Sequence, residues 1–191
     1  MTRLSALCLI SALLAGCGSV PKDRFYVLSV PDAPSASAAS PAYTVAIGAV
    51  SIPELVDRAQ MVVYQSDNRV EIVEHERWAE PLRAAIAAAI AGALRSELPG
   101  ARVAIYPQRA AVDADCSVNL DIQRFEARRG SSALVEALWS VQCGKGRVQQ
   151  GRSLIRENLQ GDDSYSAVVS GYDRAIAQIS KELAQAVRSA R

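Results

Sequence analysis

The sequence predicts an α+β fold in which two main helices pack on a largely antiparallel or mixed sheet. Two observations lead to this prediction. Short runs rich in β-branched and aromatic residues occur in two groups along the chain. Each group precedes a longer segment whose apolar residues repeat at helical spacing. The order strands, helix, strands, helix is typical of the α+β class.

The first group of strands lies in the amino-terminal half. Its members are predicted at 25–30, 43–52, 60–65 and 69–74. A stretch rich in proline, serine and alanine at 31–42 predicts an exposed loop, and Pro53 to Arg58 predicts a turn. Ser66-Asp67-Asn68 has the composition of a hairpin turn between the last two strands.

The first helix is predicted over 81–98. Proline suits a first helical turn, so Pro81 is well placed, and Pro99-Gly100 ends the helix. One face carries large apolar residues at every fourth position, which predicts packing against the sheet. These residues are Leu82, Ile86, Ile90 and Leu94.

The second group begins with a short strand at 102–106, followed by a predicted three-stranded meander at 115–126, 133–143 and 146–158. Gly161-Asp162-Asp163-Ser164 opens the second helix, because acids and capping residues favour a helix N-terminus. One apolar stripe then runs to the C-terminus. It consists of Tyr172, Ile176, Ile179, Leu183 and Val187.

Two cysteines in the meander are predicted to form a disulfide. A hairpin turning at Arg129-Gly130 places apolar residues opposite one another on a single face. The predicted pairs are Cys116 with Cys143, Val118 with Val141, Leu120 with Trp139, and Ile122 with Ala137. Directly opposed β-carbons are close enough for a bridge after modest local adjustment.

The amino terminus has the pattern of a lipoprotein signal. Arg3 supplies a positive charge, and Leu4 to Ala15 is almost wholly apolar but too short to span a bilayer. Leu14-Ala15-Gly16-Cys17 fits a lipobox. The alternative is an ordinary signal peptide with a chance cysteine. The pattern predicts cleavage before Cys17 and acylation of that residue, with acyl chains anchoring the protein to a membrane.

This divides the chain into a signal peptide at 1–16, a lipidated tether at 17–23 and a single domain at 24–191. Cleavage removes one basic residue and no acid, so the mature chain has 20 basic and 20 acidic residues. That balance does not favour nucleic acid as a partner. A location beyond the cytoplasmic membrane also favours disulfide formation.

The motifs of the sequence do not favour an enzyme. His75 is the one histidine, and Glu74-His75-Glu76 begins like a zinc-protease motif, but Ala79 stands where the second histidine belongs. The sequence contains no Gly-x-Ser-x-Gly elbow, phosphate-binding loop or dinucleotide fingerprint. We therefore predict no catalytic residues, no metal and no cofactor apart from covalent lipid on Cys17.

Three segments resemble a known family. They are 25–28 (Phe-Tyr-Val-Leu), 51–63 (Ser-Ile-Pro-Glu-Leu-Val-Asp-Arg-Ala-Gln-Met-Val-Val) and 77–82 (Arg-Trp-Ala-Glu-Pro-Leu). In this order they resemble the ABC-type transport auxiliary lipoproteins, the PqiC-like lipoproteins of MCE lipid-transport systems. Phe25 replaces a common tyrosine and Ala59 a common proline.

The resemblance implies a non-enzymatic accessory component of an intermembrane lipid-transport system. Its partners would be an MCE-domain protein with its permease and ATPase, and docking on a ring-shaped partner would make a homo-oligomer reasonable. The protein would lie on the periplasmic face of the outer membrane. Gly18 agrees, because aspartate at that position is the family-level signal for inner-membrane retention.

Six motif residues are candidates for partner contact, because apolar side chains in a turn can form a docking edge. They are Pro53, Glu54, Leu55, Val56, Arg58 and Trp78. The alternative is structural: a tight turn between strands, with Trp78 as a core anchor. Two alternative functions also fit the sequence: a structural or regulatory envelope lipoprotein, such as a cell-wall synthase activator, and a periplasmic enzyme.

Overall fold

A computed structural model of this chain describes residues 21–31 and 42–191. The predicted signal peptide, Cys17, Gly18 and most of the predicted loop at 31–42 lie outside the described residues. The elements are, in order, β1 (Arg24–Tyr26), β2 (Tyr43–Ser51), β3 (Gln60–Ser66), β4 (Arg69–Trp78), α1 (Leu82–Glu97), β5 (Ala101–Ile105), β6 (Cys116–Arg128), β7 (Ser132–Cys143), β8 (Gln149–Asn158) and α2 (Tyr165–Ala190). Short 3₁₀ turns span Glu54–Val56 and Arg109–Ala111. The predicted α+β class is confirmed.

The strands form two sheets. A three-stranded sheet has the order β1-β4-β3, and a five-stranded sheet has the order β5-β2-β6-β7-β8. β1 with β4, and β2 with both β5 and β6, pair in parallel, whereas the hairpins β3–β4, β6–β7 and β7–β8 are antiparallel. The sheets are therefore mixed, and the parallel pairs join strands far apart in sequence.

The two helices supply much of the core. The predicted stripes of α1 and α2 are buried, as expected. α1 also buries most of its alanines, because it packs against β2, β5 and α2. At Gly171 of α2 an added β-carbon would lie 2.8 Å from the Ala133 β-carbon, so this glycine allows the helix to approach β7 closely.

The first strand is shorter than predicted. β1 ends at Tyr26, and the helix-crossing segment, residues 27–31, then runs over the helices. Ser29 donates from its amide to Asp173 of α2 at 2.8 Å and from its hydroxyl at 2.7 Å. A β-carbon at Gly92 of α1 would lie 2.7 Å from Val30. These contacts take residues 27–31 out of the sheet.

The predicted hairpin register is observed from the disulfide end as far as Ile122 opposite Ala137. Cys116 and Cys143 form a disulfide, with α-carbons 4.0 Å apart. A bulge after Ile122 then shifts the pairing by one residue. The reason is that the next core residue of β6 is Phe125, three positions on, and only an extra residue keeps both side chains on the buried face.

Candidate partner-contact site

The second and third of the family segments, 51–63 and 77–82, lie next to each other in the structure. We call this region the motif junction, residues 53–60 and 77–83. Gln60 on β3 pairs with Arg77 on β4, and the Trp78 amide donates to the Ala59 carbonyl at 2.7 Å. Two segments that are distant in sequence thus lie side by side between β3, β4 and the start of α1.

The turn at 53–58 is held by its own backbone. The Val56 amide donates to the Pro53 carbonyl at 3.0 Å, and the Asp57 amide donates to Glu54 at 3.2 Å. The Asp57 carboxylate also accepts from Arg83 in the first turn of α1, at 2.5 Å. Both side chains are well exposed, so this ion pair orients the turn more than it stabilises the fold.

Two of the six predicted contact residues are not on the surface. Val56 and Trp78 are each 6% exposed, and both belong to the main core. An exposed docking edge therefore cannot include Val56, and the burial of Trp78 agrees with the alternative that it is a core anchor. The 3₁₀ turn points Val56 inward, and Leu55 is partly buried against the same core.

Trp78 instead joins three parts of the fold. Its ring lies 6.4 Å from Phe125 of β6 in an edge-on arrangement and 6.3 Å from Tyr172 of α2. Phe125 and Tyr172 stack with ring centroids 3.8 Å apart. Such pairs stabilise a core beyond the area that they bury. The aromatic trio therefore ties the small sheet to the large sheet and to α2, which is the structural alternative for Trp78.

The remaining candidates lie at the surface. Glu54 and Arg58 are exposed, and Pro53 and Leu55 are partly exposed. Asp57 and Ala59 between them are exposed as well. These residues surround one side of the motif junction, so the surface that remains available for a partner is smaller and more polar than the sequence predicts.

Beside the motif junction lies a cleft of about 560 Å³, which we call the α1 cleft. Its wall is largely apolar, and Asp57 and Arg83 lie at its polar part. The apolar lining includes Val50, Pro81, Ala84, Ala87, Tyr106 and Pro107. Both motifs therefore contribute to the cleft, through Asp57 and Pro81.

Tyr106 and its neighbours were not among the residues predicted to contact a partner. The Tyr106-Pro107 peptide bond is cis, and the Tyr106 side chain is 63% exposed at the cleft. At Gly48, which also lines the cleft, an added β-carbon would overlap the Asn119 side chain. An exposed aromatic residue followed by proline at the end of a predicted strand is the one signal in the sequence that could have indicated this site.

A cluster of polar side chains holds β1 against β4. The buried Glu76 carboxylate, 2% exposed, accepts from Arg24 Nε at 2.7 Å and from the Tyr26 hydroxyl at 2.7 Å. Burial raises the pKa of Glu76, but the hydrogen bonds from Arg24 and Tyr26 outweigh it, so its pKa lies below the ordinary value. Burial and the bond to Glu76 together raise the pKa of Tyr26 to about 12.

His75 lies at the surface of the same sheet. Its Nδ1 is 2.8 Å from the Asp23 carboxylate, and its side chain is 44% exposed. His75 is thus a half-exposed surface side chain next to a carboxylate. Across residues 21–31 and 42–191, no helix has the length and apolar character of a membrane span.

Comparison with known proteins agrees with the architecture. Residues 26–184 match the family described as ABC-type transport auxiliary lipoprotein component. The chain is 27% identical over 186 residues to the intermembrane transport lipoprotein PqiC of Escherichia coli (strain K12), and equally to that of Shigella flexneri. Each match covers 94% of this chain and 95% of the relative.

Two crystal structures have the same fold. One, of an uncharacterized protein, has a TM-score of 0.74 at 20% identity and covers 87% of this chain and 99% of its own. The other, from Xanthomonas campestris, has a TM-score of 0.61 at 15% identity and covers 84% of this chain and 92% of its own. At these identities the two structures support the fold alone.

Proposed function

The chain belongs to the family of ABC-type transport auxiliary lipoproteins, and from that membership we propose that it is the outer-membrane accessory component of an intermembrane lipid-transport system. The observation that carries the proposal is the family match, which runs from β1 into α2. The relative named as an intermembrane transport lipoprotein supports it across almost the whole chain. Acylated Cys17 would hold the domain on the periplasmic face of that membrane.

The partner in this proposal is the MCE-domain protein of the same system, with its permease and ATPase behind it. The contact surface is the α1 cleft together with the exposed part of the motif junction. This surface is favoured because both family motifs contribute to it and because it combines an apolar wall with an exposed aromatic side chain. Exposed aromatic residues in such positions are typical anchors of protein interfaces.

The role is that of a binding component without catalysis. The titratable groups with shifted pKa values near β1, Glu76 and Tyr26, bind each other rather than lining the α1 cleft. Asp57 and Arg83, which do line it, neutralise one another. The arrangement suits recognition of an apolar protein segment better than acid–base chemistry.

The proposal is tested by capture of the MCE-domain protein on the lipidated chain in detergent. Tyr106→Arg places a charge in the α1 cleft, and Leu154→Arg places the same charge on β8, where the native side chain is 50% exposed. Loss of an aromatic anchor costs about 2 kcal/mol or more at an interface, so Tyr106→Arg should weaken capture by roughly thirtyfold. Leu154→Arg should leave it nearly unchanged.

Three results would contradict parts of the proposal. Equal capture by the two variants would exclude the α1 cleft as the contact. Failure of the unaltered chain to bind any MCE-domain protein would contradict the transport role. Capture of a cell-wall synthase instead would support the regulatory alternative.

A further inference from the structure

The segment at residues 25–30 carries an unusual concentration of exposed apolar side chains. Within the described residues, nine large hydrophobic side chains are exposed, and three of them lie between positions 25 and 30. Phe25 is 63% exposed and Val27 is 59% exposed. Isolated exposed apolar residues are ordinary, but neighbouring ones mark interaction surfaces.

Burial alternates from Phe25 to Leu28, across and just beyond the end of β1, which indicates that Phe25 and Val27 face the same, outer side. Successive side chains of an extended chain point to opposite faces. Tyr26 and Leu28 face inward, since Tyr26 binds Glu76 and Leu28 is 3% exposed in the core. Phe25 and Val27, alternating with them, therefore face outward. The hydrogen bonds from Arg24 and Tyr26 to Glu76 hold the strand in this orientation.

The position of the acylation site limits what this face can meet. Eight residue steps separate Cys17 from Phe25. A chain spans at most about 3.6 Å per residue, so Phe25 stays within roughly 29 Å of the acylated residue. A domain of this size is about 40 Å across. The tether is thus shorter than the domain is wide, which keeps β1 within about 29 Å of the acylated residue.

We propose that Phe25 and Val27 form a membrane-contacting edge that rests on the bilayer in which the acyl chains of Cys17 are inserted. This rests on the proposed lipidation of Cys17. Lipid headgroup regions accommodate aromatic and aliphatic side chains. The contact fixes the orientation of the domain, so that the anchor determines which face remains available to periplasmic partners.

The test measures the depth of single labelled positions in vesicles. Phe25→Cys, Val27→Cys and, as a control, Leu154→Cys are made in the full lipidated chain with its disulfide intact. Each carries an environment-sensitive fluorophore. The proteins are placed in vesicles of phosphatidylethanolamine and phosphatidylglycerol that contain nitroxide-labelled acyl chains. Leu154 lies on β8 and is 50% exposed, so it matches the other two positions in accessibility.

Quenching at positions 25 and 27 should exceed that at 154 several-fold. Equal quenching at the three positions, or none at 25 and 27, would overturn the membrane-contacting edge. Mass spectrometry of the amino-terminal residue is done first on the same samples. Absence of acyl groups on Cys17 would contradict the proposed function, whereas acylated protein with unquenched labels at 25 and 27 would contradict this inference alone.

Discussion

The hydroxyl of Tyr26 donates to the buried carboxylate of Glu76 with 2.7 Å between the oxygens, and this bond joins the first strand of the domain to β4. Arg24 binds the other carboxylate oxygen from the same strand. The short β1 has only three residues and parallel pairing, so these side-chain bonds are a large part of what keeps it in place. In the proposed function, this is also the point at which the lipidated tether meets the fold.

We expect Tyr26→Phe to lower the free energy of unfolding by about 1.5–3 kcal/mol, because a hydrogen bond to a charged, buried group is lost. Urea denaturation of the mature protein measures the change. Tyr106→Phe removes a hydroxyl from a side chain that is 63% exposed and should have little effect. An equal, small effect of both substitutions would mean that the Tyr26 bond contributes nothing to the attachment of β1.

Glu76 should also make stability depend on pH. Its pKa is lowered in the folded state, so its contribution is fully present above the ordinary carboxyl value of 4.5. It is lost as the pH falls through the lower folded-state pKa, since the unfolded chain then takes up more protons. Glu76→Gln should therefore be less stable at neutral pH and should lose less further stability on acidification.

The measurement is a series of urea titrations from neutral to acidic pH on the unaltered protein and Glu76→Gln. If the free energy of unfolding changed with pH in the same way for both proteins, the Glu76 carboxylate would not be the source of the pH dependence.

The disulfide should contribute substantially to stability. Cys116 and Cys143 are separated by 27 positions, and closing such a loop stabilises the fold by about 3–4 kcal/mol in the chain-entropy model. The double substitution Cys116→Ala, Cys143→Ala should lower the free energy of unfolding by that amount. Reductant should destabilise the unaltered protein to the same extent and leave the double variant unaffected. Free thiols in non-reduced protein, seen by mass spectrometry, would exclude the bridge.

The hairpin shows what local sequence can and cannot predict. The pairs from Cys116 to Ile122 follow from apolar alternation on two neighbouring strands, which is a short-range pattern. The bulge and the parallel pairing of β1 with β4 and of β2 with β5 and β6 are not found in that way. A parallel pair joins strands distant in sequence, and no alternation within either strand indicates its partner.

The candidate site, like the hairpin, could be predicted from the sequence only in part. Both motif segments were identified in the sequence, and they meet as neighbours in the structure. The sequence did not indicate that the 3₁₀ turn buries Val56, because the pattern of a six-residue turn has no defined inner face. The sequence did not indicate the α1 cleft, because four segments distant in sequence form it and Tyr106 comes from the residues that follow β5.

Substitutions at residues 55 and 56 can distinguish a structural role of the turn from a role in partner contact. Val56→Asp buries an unpaired charge and should lower the free energy of unfolding by about 3–5 kcal/mol. Leu55→Asp, at a partly exposed side chain, should cost about 1 kcal/mol. Thermal unfolding measures both. If Leu55→Asp keeps the fold but reduces capture of the MCE-domain protein, then Leu55 belongs to the contact surface; if both variants unfold alike, the turn is purely structural.

Gly18→Asp should move the protein from the outer to the inner membrane. In the proposed function Cys17 carries the acyl chains, and the residue after it determines sorting, with aspartate as the retention signal. Position 18 precedes β1 by several residues, so the substitution should leave the folded domain and the acylation unchanged. Membrane fractionation on a density gradient measures the distribution, and Gly18→Ser serves as the control because it adds a side chain without the charge.

Acylated Gly18→Asp protein that still fractionates with the outer membrane would contradict sorting by this position. An unaltered protein found only in the inner membrane would contradict the outer-membrane placement itself, because the anchor would then hold the domain, with its α1 cleft, on the opposite side of the periplasm.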